Sequence, residues 1–577
     1  MPSTDPFRFA ILSDAHVHDI AADYGLPDAP EALSVRPLAD TMRSTRVFNE
    51  SKAALLRALE EIAARGIRHV VITGDYTDDG QGPARAAAQA IFCEAEERLG
   101  LRIFLTVGNH DVFADDGRHR TKRFLTASGG HGVLTSDPER RDPDARFVAL
   151  RPDMRCLGSP AGLAPFATFG FMPREDDLLW ETPFGTDPDP EARRYAVTSP
   201  DGQRREWLFD ASYLVEPVAG LRFLMIDANV FVPLNPGQML ADMTFEDSTN
   251  AGWTALLRHK PFLLDWIGRA AETARRDGAR LIAFSHYPVL DPLDGTGADE
   301  RALLGETDMV KRRPSPEVAE ALIAAGITVH VSGHLHVNDT AQGRNDAGVL
   351  TNIAMPALCG FPPAYKIATL RAEGLGIETV SLDAMPLDAR LMRLYAREAV
   401  QDGLETGGLL EAGDYGAFLH AHIGRIATRR YLKRDWPQDL AEAIRLLTLG
   451  DLARLALTAE PVTLEDFLRT GGLAGAGVAE AGKAGLVDPS LSDLPATELV
   501  GDWYRLRMGS DLGLKAIAAE RRTAYAALAR AFAGRDWPEN SLQRALALMM
   551  RMMTAYAEGL PSIDFTLDWD SGAIRRD

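Results

Sequence analysis

Cysteine is scarce. Cys93, Cys156 and Cys359 are the only three in 577 residues, too few for a disulfide framework and too scattered for a zinc knuckle. Positive charge is also in deficit, with 62 Lys+Arg against 82 Asp+Glu and a net charge of −20. From Met385 onward 23 basic residues stand against 27 acidic ones, −4, which leaves −16 on residues 1–384. That shortfall argues against a broad electrostatic grip on nucleic acid or on an anionic membrane. It makes bound cations the natural local source of positive charge for an anionic substrate. No apolar run is long enough to span a bilayer. The first strand begins by about Phe7, which leaves no room for a signal peptide. A cytoplasmic protein with no nucleic-acid or membrane partner is the expectation.

The chain is longer than a single core usually sustains, so two domains are expected. Hydrophobic residues at 46% and charged residues at 25% are ordinary for a globular protein. The informative feature is a set of short apolar runs, each ending in polar residues. Phe9–Leu12 leads to Asp14-Ala15-His16, and Val70–Thr73 to Gly74-Asp75. Ile103–Val107 leads to Gly108-Asn109-His110-Asp111, Leu281–Phe284 to Ser285-His286, and Ile327–Val331 to Gly333-His334-Leu335-His336. Such runs read as buried strands. Ligands of open α/β sheets collect at the carboxyl ends of strands. One polar constellation delivered by five strand ends is a candidate site.

In this order the five blocks resemble the signature of the calcineurin-like metallophosphoesterases: D-x-H, G-D, G-N-H-D/E, a lone H, then G-H-x-H. The resemblance covers roughly residues 7–380. It implies an α/β fold of four layers, two sheets face to face with helices outside. It also implies a two-metal site. Phosphate esters resist anionic nucleophiles, and two metals about 3.5–4 Å apart neutralise phosphoryl charge and acidify a bridging water. By the resemblance, Asp75 bridges the metals, Asp14, His16 and His336 complete one side, and Asn109, His286 and His334 the other. A ligand set of imidazole and carboxylate without thiolate suits Mn, Fe, Zn or Co. His110, outside that set, is expected beside the phosphate as a general acid, with Asp111 holding its ring nitrogen.

Departures from the branches of the family narrow the substrate. Gly74-Asp75-Tyr76-Thr77-Asp78-Asp79-Gly80 puts Asp79 where serine/threonine protein phosphatases carry a phosphate-gripping Arg. Asp78 stands where purple acid phosphatases carry a metal-binding Tyr. The form G-D-x-T-D-D-G looks more like the bacterial phosphodiesterase branch. The expected activity is hydrolysis of a small phosphate ester, a diester ahead of a monoester, by a metal-bridging hydroxide. A nuclease and a scaffold without catalysis are weaker alternatives.

Residues 1–384 are expected to form the catalytic domain and 385–577 an appended all-α domain. Helices are expected at Val47–Arg65, Gly82–Gly100 and Pro261–Arg276, then at Arg390–Val400, Tyr415–Leu432, Pro437–Leu457, Thr497–Phe532 and Ser541–Glu558. Gly471–Gly485 reads as a loop or frayed helix. The stretch 112–220 breaks the α/β rhythm and contains a hairpin, Arg194–Phe209; it is a candidate lid, or a surface elaboration. His18 is a candidate substrate contact or a loop histidine. His330 reads as structural, as do His420 and His422 in preference to a second metal site. Arg425–Arg434, five basic residues in ten, reads as a solvated face, a docking surface or a cover for the site. Leu542, Leu546, Met549, Met550 and Met553 fall on one helical side, an apolar face expected to pack against the catalytic domain, against a second copy in a homo-oligomer, or both.

Overall fold

Alternate side chains of a strand point to opposite faces of its sheet, and the segment Leu221–Ile226 shows how the layers form. Leu221, Phe223 and Met225 enter one apolar cluster, whereas Leu224 and Ile226 enter a second. Phe223 meets Phe9 and Phe104 of the opposite sheet at centroid separations of 5.0 and 5.5 Å. Leu224 and Ile226 instead share their cluster with Leu263, Trp266, Ile267, Val318 and Leu322 from two helices, Phe262–Arg276 and Pro316–Ala324. The structure, a computed structural model, describes residues 6–240, 242–476 and 486–577.

In chain order the two large sheets use β1 (Arg8–Leu12), β2 (His69–Ile72), β3 (Arg102–Leu105), β4 (Leu179–Glu181), β5 (Tyr213–Val218), β6 (Leu221–Ile226), β7 (Arg280–Ser285), β8 (Val329–Ser332), β9 (Asp339–Asn345), β10 (Gly348–Ala354), β11 (Ala364–Leu370), β12 (Gly374–Ser381), β13 (Phe565–Asp568) and β14 (Ile574–Arg576). The first sheet runs β14-β13-β12-β11-β1-β2-β3 and the second β9-β10-β8-β7-β6-β5-β4. β1, β2 and β3 are parallel, as are β6, β7, β8 and β10, and the outer strands are antiparallel. Helices Ser51–Ala64 and Gly82–Leu99 share the core cluster of the first sheet. The result is the expected α/β sandwich of four layers with a helical region after it, except that 385–577 is not all helix: β13 and β14 return to the edge of the first sheet, where β13 pairs with β12.

The insertion is not a single flap. It supplies β4 and β5 to the second sheet, a separate three-stranded sheet (Thr121–Leu125, His131–Thr135, Val148–Leu150) and the expected hairpin, Arg194–Thr198 against Arg205–Phe209. The helical region is more broken than its periodicity implies. Pro437–Leu457 is two helices, Gln438–Leu446 and Leu449–Leu457, because Thr448 and Asp451 form a capping box that starts the second. Thr497–Phe532 is three, Ala496–Gly509, Asp511–Lys515 and Ala519–Ala533, interrupted first at Ser510 with φ 42°. Of Gly471–Gly485, residues 471–476 are turns, and 477–485 lie outside the described residues.

The helical region and the sandwich share one apolar cluster. Glu398 accepts the backbone N–H groups of Leu38 and Ala39, and Tyr395 donates to Glu50. The face of Leu542, Leu546, Met549, Met550 and Met553 is buried within the chain. It packs within the chain, against Gly297–Leu304 of the sandwich part and against neighbouring helices. Among the described residues no helix is long and apolar enough to cross a membrane.

Candidate metal centre and its cleft

Five parallel strands place the polar blocks. β1, β2 and β3 end at Leu12, Ile72 and Leu105, and β7 and β8 at Ser285 and Ser332. Beyond the ends of β1, β2 and β8 the backbone turns sharply. Among the described residues eleven non-glycine residues have positive φ, and six of them are Asp14, His16, Asp75, Asp79, His334 and His336. Such conformations are strained for an L residue and concentrate at functional sites. Close approach also constrains Gly108, where a Cβ would lie 2.0 Å from Asp75 Oδ1.

The side chains converge in two groups. In one, His336 Nε2 lies 3.2 Å from Asp14 Oδ1 and 3.3 Å from His16 Nε2. In the other, His286 Nε2 lies 3.1 Å from Asp75 Oδ2, 3.2 Å from Asn109 Oδ1 and 3.2 Å from His334 Nδ1. Asp75 Oδ2 is also 3.7 Å from His16 Nε2, so this carboxylate stands between the groups. Ligand atoms of Asp14, His16 and His336, and of Asp14, Asp75 and His286, lie within 4.8 Å of one another. His16, Asp75 and His110 form a third such set, so His110 borders the cluster as well.

The residues fit metal ions on their own chemistry. His286 Nδ1 donates to the Thr73 carbonyl (2.8 Å) and His334 Nε2 to the Thr249 carbonyl (3.0 Å). A carbonyl can only accept, so His334, as a neutral ring, keeps a lone pair on Nδ1, which faces His286 Nε2. Burial lowers His286, but the Asp75 carboxylate outweighs it and raises that ring to about 9, so without an ion a proton fills the gap between the rings. A bound ion would take that proton's place, and metal–nitrogen bonds of about 2.0–2.2 Å suit the 3.2 Å spacing. Asp14 Oδ1 is buried without a hydrogen-bond partner, and an orphaned buried carboxylate oxygen calls for the same remedy. Burial, with the Arg46 charge, holds His16 well below the usual imidazole range, and burial does the same to His334. Both are therefore neutral donors. Thr249 Oγ1 accepts from Asn109 Nδ2 (3.1 Å), which turns the amide oxygen toward His286.

Asp111 does not hold the His110 ring. Its carboxylate accepts the backbone N–H groups of Asp75 (2.8 Å), Gly108 (2.9 Å) and Thr77 (3.0 Å) and the Thr77 hydroxyl (2.9 Å). It braces the two loops that carry Asp75 and Asn109. The partner of His110 Nδ1 is Asp79. Asp79 also meets Lys122 and, at 3.4 Å, Arg120. Burial alone raises a carboxyl, but these cations and His110 outweigh it and hold Asp79 well below the usual range. Sequence reasoning missed Asp79 in this role because ring contacts across 31 positions have no periodic signal.

It also missed Arg46. Arg46 Nη1 lies 3.4 Å from His110 Nε2, and Nη2 pairs with Asp78 (2.9 Å) and Asp79 (3.6 Å). A guanidinium thus stands by the site, supplied by a loop before the first long helix and not by the G-D-x-x-D-x-G run. His18 is buried away from the cleft, bonded to the Ser34 carbonyl and Tyr24. His330 is buried between Asn352 and Ser285. His422 donates to the Thr41 carbonyl, and neither it nor His420 belongs to a metal-ligand group among the described residues.

Above the cluster lies a cleft of about 210 Å³. Asp75, Asn109, His110, His334 and His336 form its floor, 300–312 one wall, and Arg430, Tyr431, Arg434, Tyr504 and Arg507 of the helical region another. Arg425–Arg434 therefore covers part of the site with two of its five basic residues. No lining residue comes from 112–220. That segment acts from behind, through Arg120 and Lys122 on Asp79.

Residues 7–162 match the family model of the calcineurin-like phosphoesterases. No curated protein matches the chain. Among solved structures, a dimetal phosphatase from Danio rerio aligns at 13% identity over 65% of this chain and 96% of its own, with a TM-score of 0.29. The anchor in the inner membrane complex of Plasmodium aligns at 11% identity over 66% and 85%, with a TM-score of 0.26. A purple acid phosphatase from yellow lupin (Lupinus luteus) seeds aligns at 12% identity over 66% of this chain, which spans about half (52%) of the lupin protein, with a TM-score of 0.30. Over residues 7–162 the chain is thus similar to the calcineurin-like phosphoesterases.

Proposed function

We propose that the chain is a metal-dependent hydrolase of small phosphate esters that holds two ions and acts on diesters in preference to monoesters. The observation that carries the reading is Asp75 Oδ2 lying between two groups of imidazole and carboxylate donors. Asp14, His16 and His336 would hold one ion, Asn109, His286 and His334 the other, with Asp75 shared. A bound pair supplies charge neutralisation at the phosphoryl oxygens and an activated water.

The chain's own residues do the rest. Asp79 fixes the Nδ1 proton of His110 and favours the imidazolium against burial and the Arg46 charge, which together hold the ring below its ordinary value. Nε2, 4.0 Å from Asp75 and 3.4 Å from Arg46 Nη1, is the nitrogen that would carry a proton to the leaving oxygen once substrate displaces the Arg46 contact. A monoester dianion asks for a cation on each outer oxygen. The guanidinium nearest His110 is Arg46, whose charge is already shared with Asp78 and Asp79, and this favours a diester monoanion. A cleft of about 210 Å³ suits a small ester.

The test is a panel of phosphate mono-, di- and triesters with Mn-loaded protein, alongside elemental analysis. Close to two ions per chain and a higher kcat/KM for diesters are expected, with turnover lost on chelation. At most one ion after supplementation with Mn or Fe would count against the shared site, and faster monoester turnover against the diester preference.

A further inference from the structure

The wall of the cleft supplied by 300–312 and the helical region is crowded with arginines, and they are not equivalent. Arg507 pairs with buried Glu300, its Nε at 3.2 Å, and Arg434 pairs with Asp308. Arg312 and Arg430 also line the cleft, yet among the described residues neither forms an ion pair. Arg312 donates through Nε to Asn250 Oδ1 (2.9 Å), which anchors the stem of a side chain that lines the cleft. Burial presses its pKa downward against the charges of Asp308 and Asp247, neither of which pairs with it. The guanidinium of Arg430 lies 5.7 Å from the centre of the Tyr431 ring, which stacks on Tyr504 at 4.4 Å and so cannot swing away. Half-buried guanidinium groups without counter-ions are costly to keep in an otherwise acidic protein unless something anionic meets them. The cluster below has its own charges to satisfy and cannot serve them.

We propose that the cleft binds a phosphate ester carrying a second anionic group, with the reacting phosphate over Asp75 and His110 and the second anion held by Arg312 and Arg430. This rests on the esterase reading above and names the substrate class for it. The helical region then selects substrate, since it brings Arg430 to a floor built entirely by the sandwich. Guanidinium geometry suits a phosphate or carboxylate oxygen pair.

The experiment compares p-nitrophenyl phosphodiesters whose other arm is a three-carbon chain ending in hydroxyl, carboxylate or phosphate. Wild-type protein, loaded with Mn, should favour an anionic arm over hydroxyl by at least tenfold in kcat/KM, chiefly through KM. Arg312→Gln and Arg430→Gln should each shrink that ratio and the double variant should bring it near one. The Lys variants, which keep the charge, should retain part of it. Arg429→Gln, an exposed neighbour paired with Glu405 outside the cleft, should leave the ratio unchanged. Calorimetry with propane-1,3-diol bisphosphate against its monophosphate reads the same preference without turnover. A wild-type ratio near one, or a ratio that survives the double variant, overturns the proposal. If no ester is hydrolysed while the bisphosphate preference is present and lost in the double variant, the anion site stands and the esterase reading falls.

Discussion

A histidine beside a phosphate does little unless its ring is held and its proton is in the right place, and here the holding group is a residue with four cationic or protonated neighbours. Asp79 meets His110, Lys122, Arg120 and Arg46. Asp79→Asn keeps the shape and removes the charge that favours the imidazolium. It should lower kcat on order of 10²-fold with metal content unchanged, and His110→Ala on the order of 10²–10⁴-fold. Because the two act as one unit, the double variant should be little worse than His110→Ala alone. Leaving groups that need no proton, such as nitrophenolate, should reduce all three losses. Equal losses across good and poor leaving groups in steady-state assays would assign the pair to phosphate positioning instead.

At the scale of the element, what the sequence made legible was the strand and the turn after it. β1, β2, β3, β7 and β8 begin and end within about two residues of the apolar runs, since a buried parallel strand must be apolar on both faces and the polar block that follows ends it. The seven proposed ligands could be placed because each sits at a fixed short offset from such an end. Helix breaks were less legible: Thr448 and Ser510 stop helices through a capping box and a positive φ, while the apolar spacing runs on across them. Contacts between elements were not legible at all, and Asp79, Arg46 and Arg312 come from that class. The strand-to-loop junction itself is testable at Gly108. A Cβ there would lie 2.0 Å from Asp75 Oδ1 and 2.3 Å from Asp75 N, a clash with backbone that no rotamer relieves. Gly108→Ala should therefore fold but bind fewer than two metals, and elemental analysis beside circular dichroism checks both halves. Full metal content in that variant would show that the loop yields where Asp75 is taken to be fixed.

Across the whole molecule, sandwich and helical region share one apolar cluster and are expected to unfold together, and acid and truncation probe this differently. His330 and His422 are fully buried, one within the second sheet and one where a helix of the C-terminal region meets Thr41, and burial pushes each down to about 4. Folded-state values below the unfolded 6.5 mean that the unfolded chain takes up protons first as pH falls. The stability they contribute is whole above pH 6.5 and is lost between there and pH 4, roughly 2 kcal/mol per histidine from pH 7 to pH 5. Urea midpoints should fall over that window, and His422→Gln should remove part of the slope. Truncation is the harsher test. Ending the chain at residue 384 removes β13, whose register pairs Ile377 with Phe565 and Leu375 with Leu567, and so leaves β12 as an open edge. It strips Glu398 from the N–H groups of Leu38 and Ala39, just upstream of Arg46, and takes Arg507 from buried Glu300. It also uncovers an apolar cluster that runs unbroken from Phe9 to Leu567. A buried carboxylate left without its cation costs on the order of 3–5 kcal/mol, and a lost half-core costs more than a domain's usual margin. The truncated chain should aggregate or expand, with no diesterase activity. A monomeric, metal-loaded, active product in light scattering and turnover assays would show instead that the sandwich folds alone, and would remove the helical region from substrate selection.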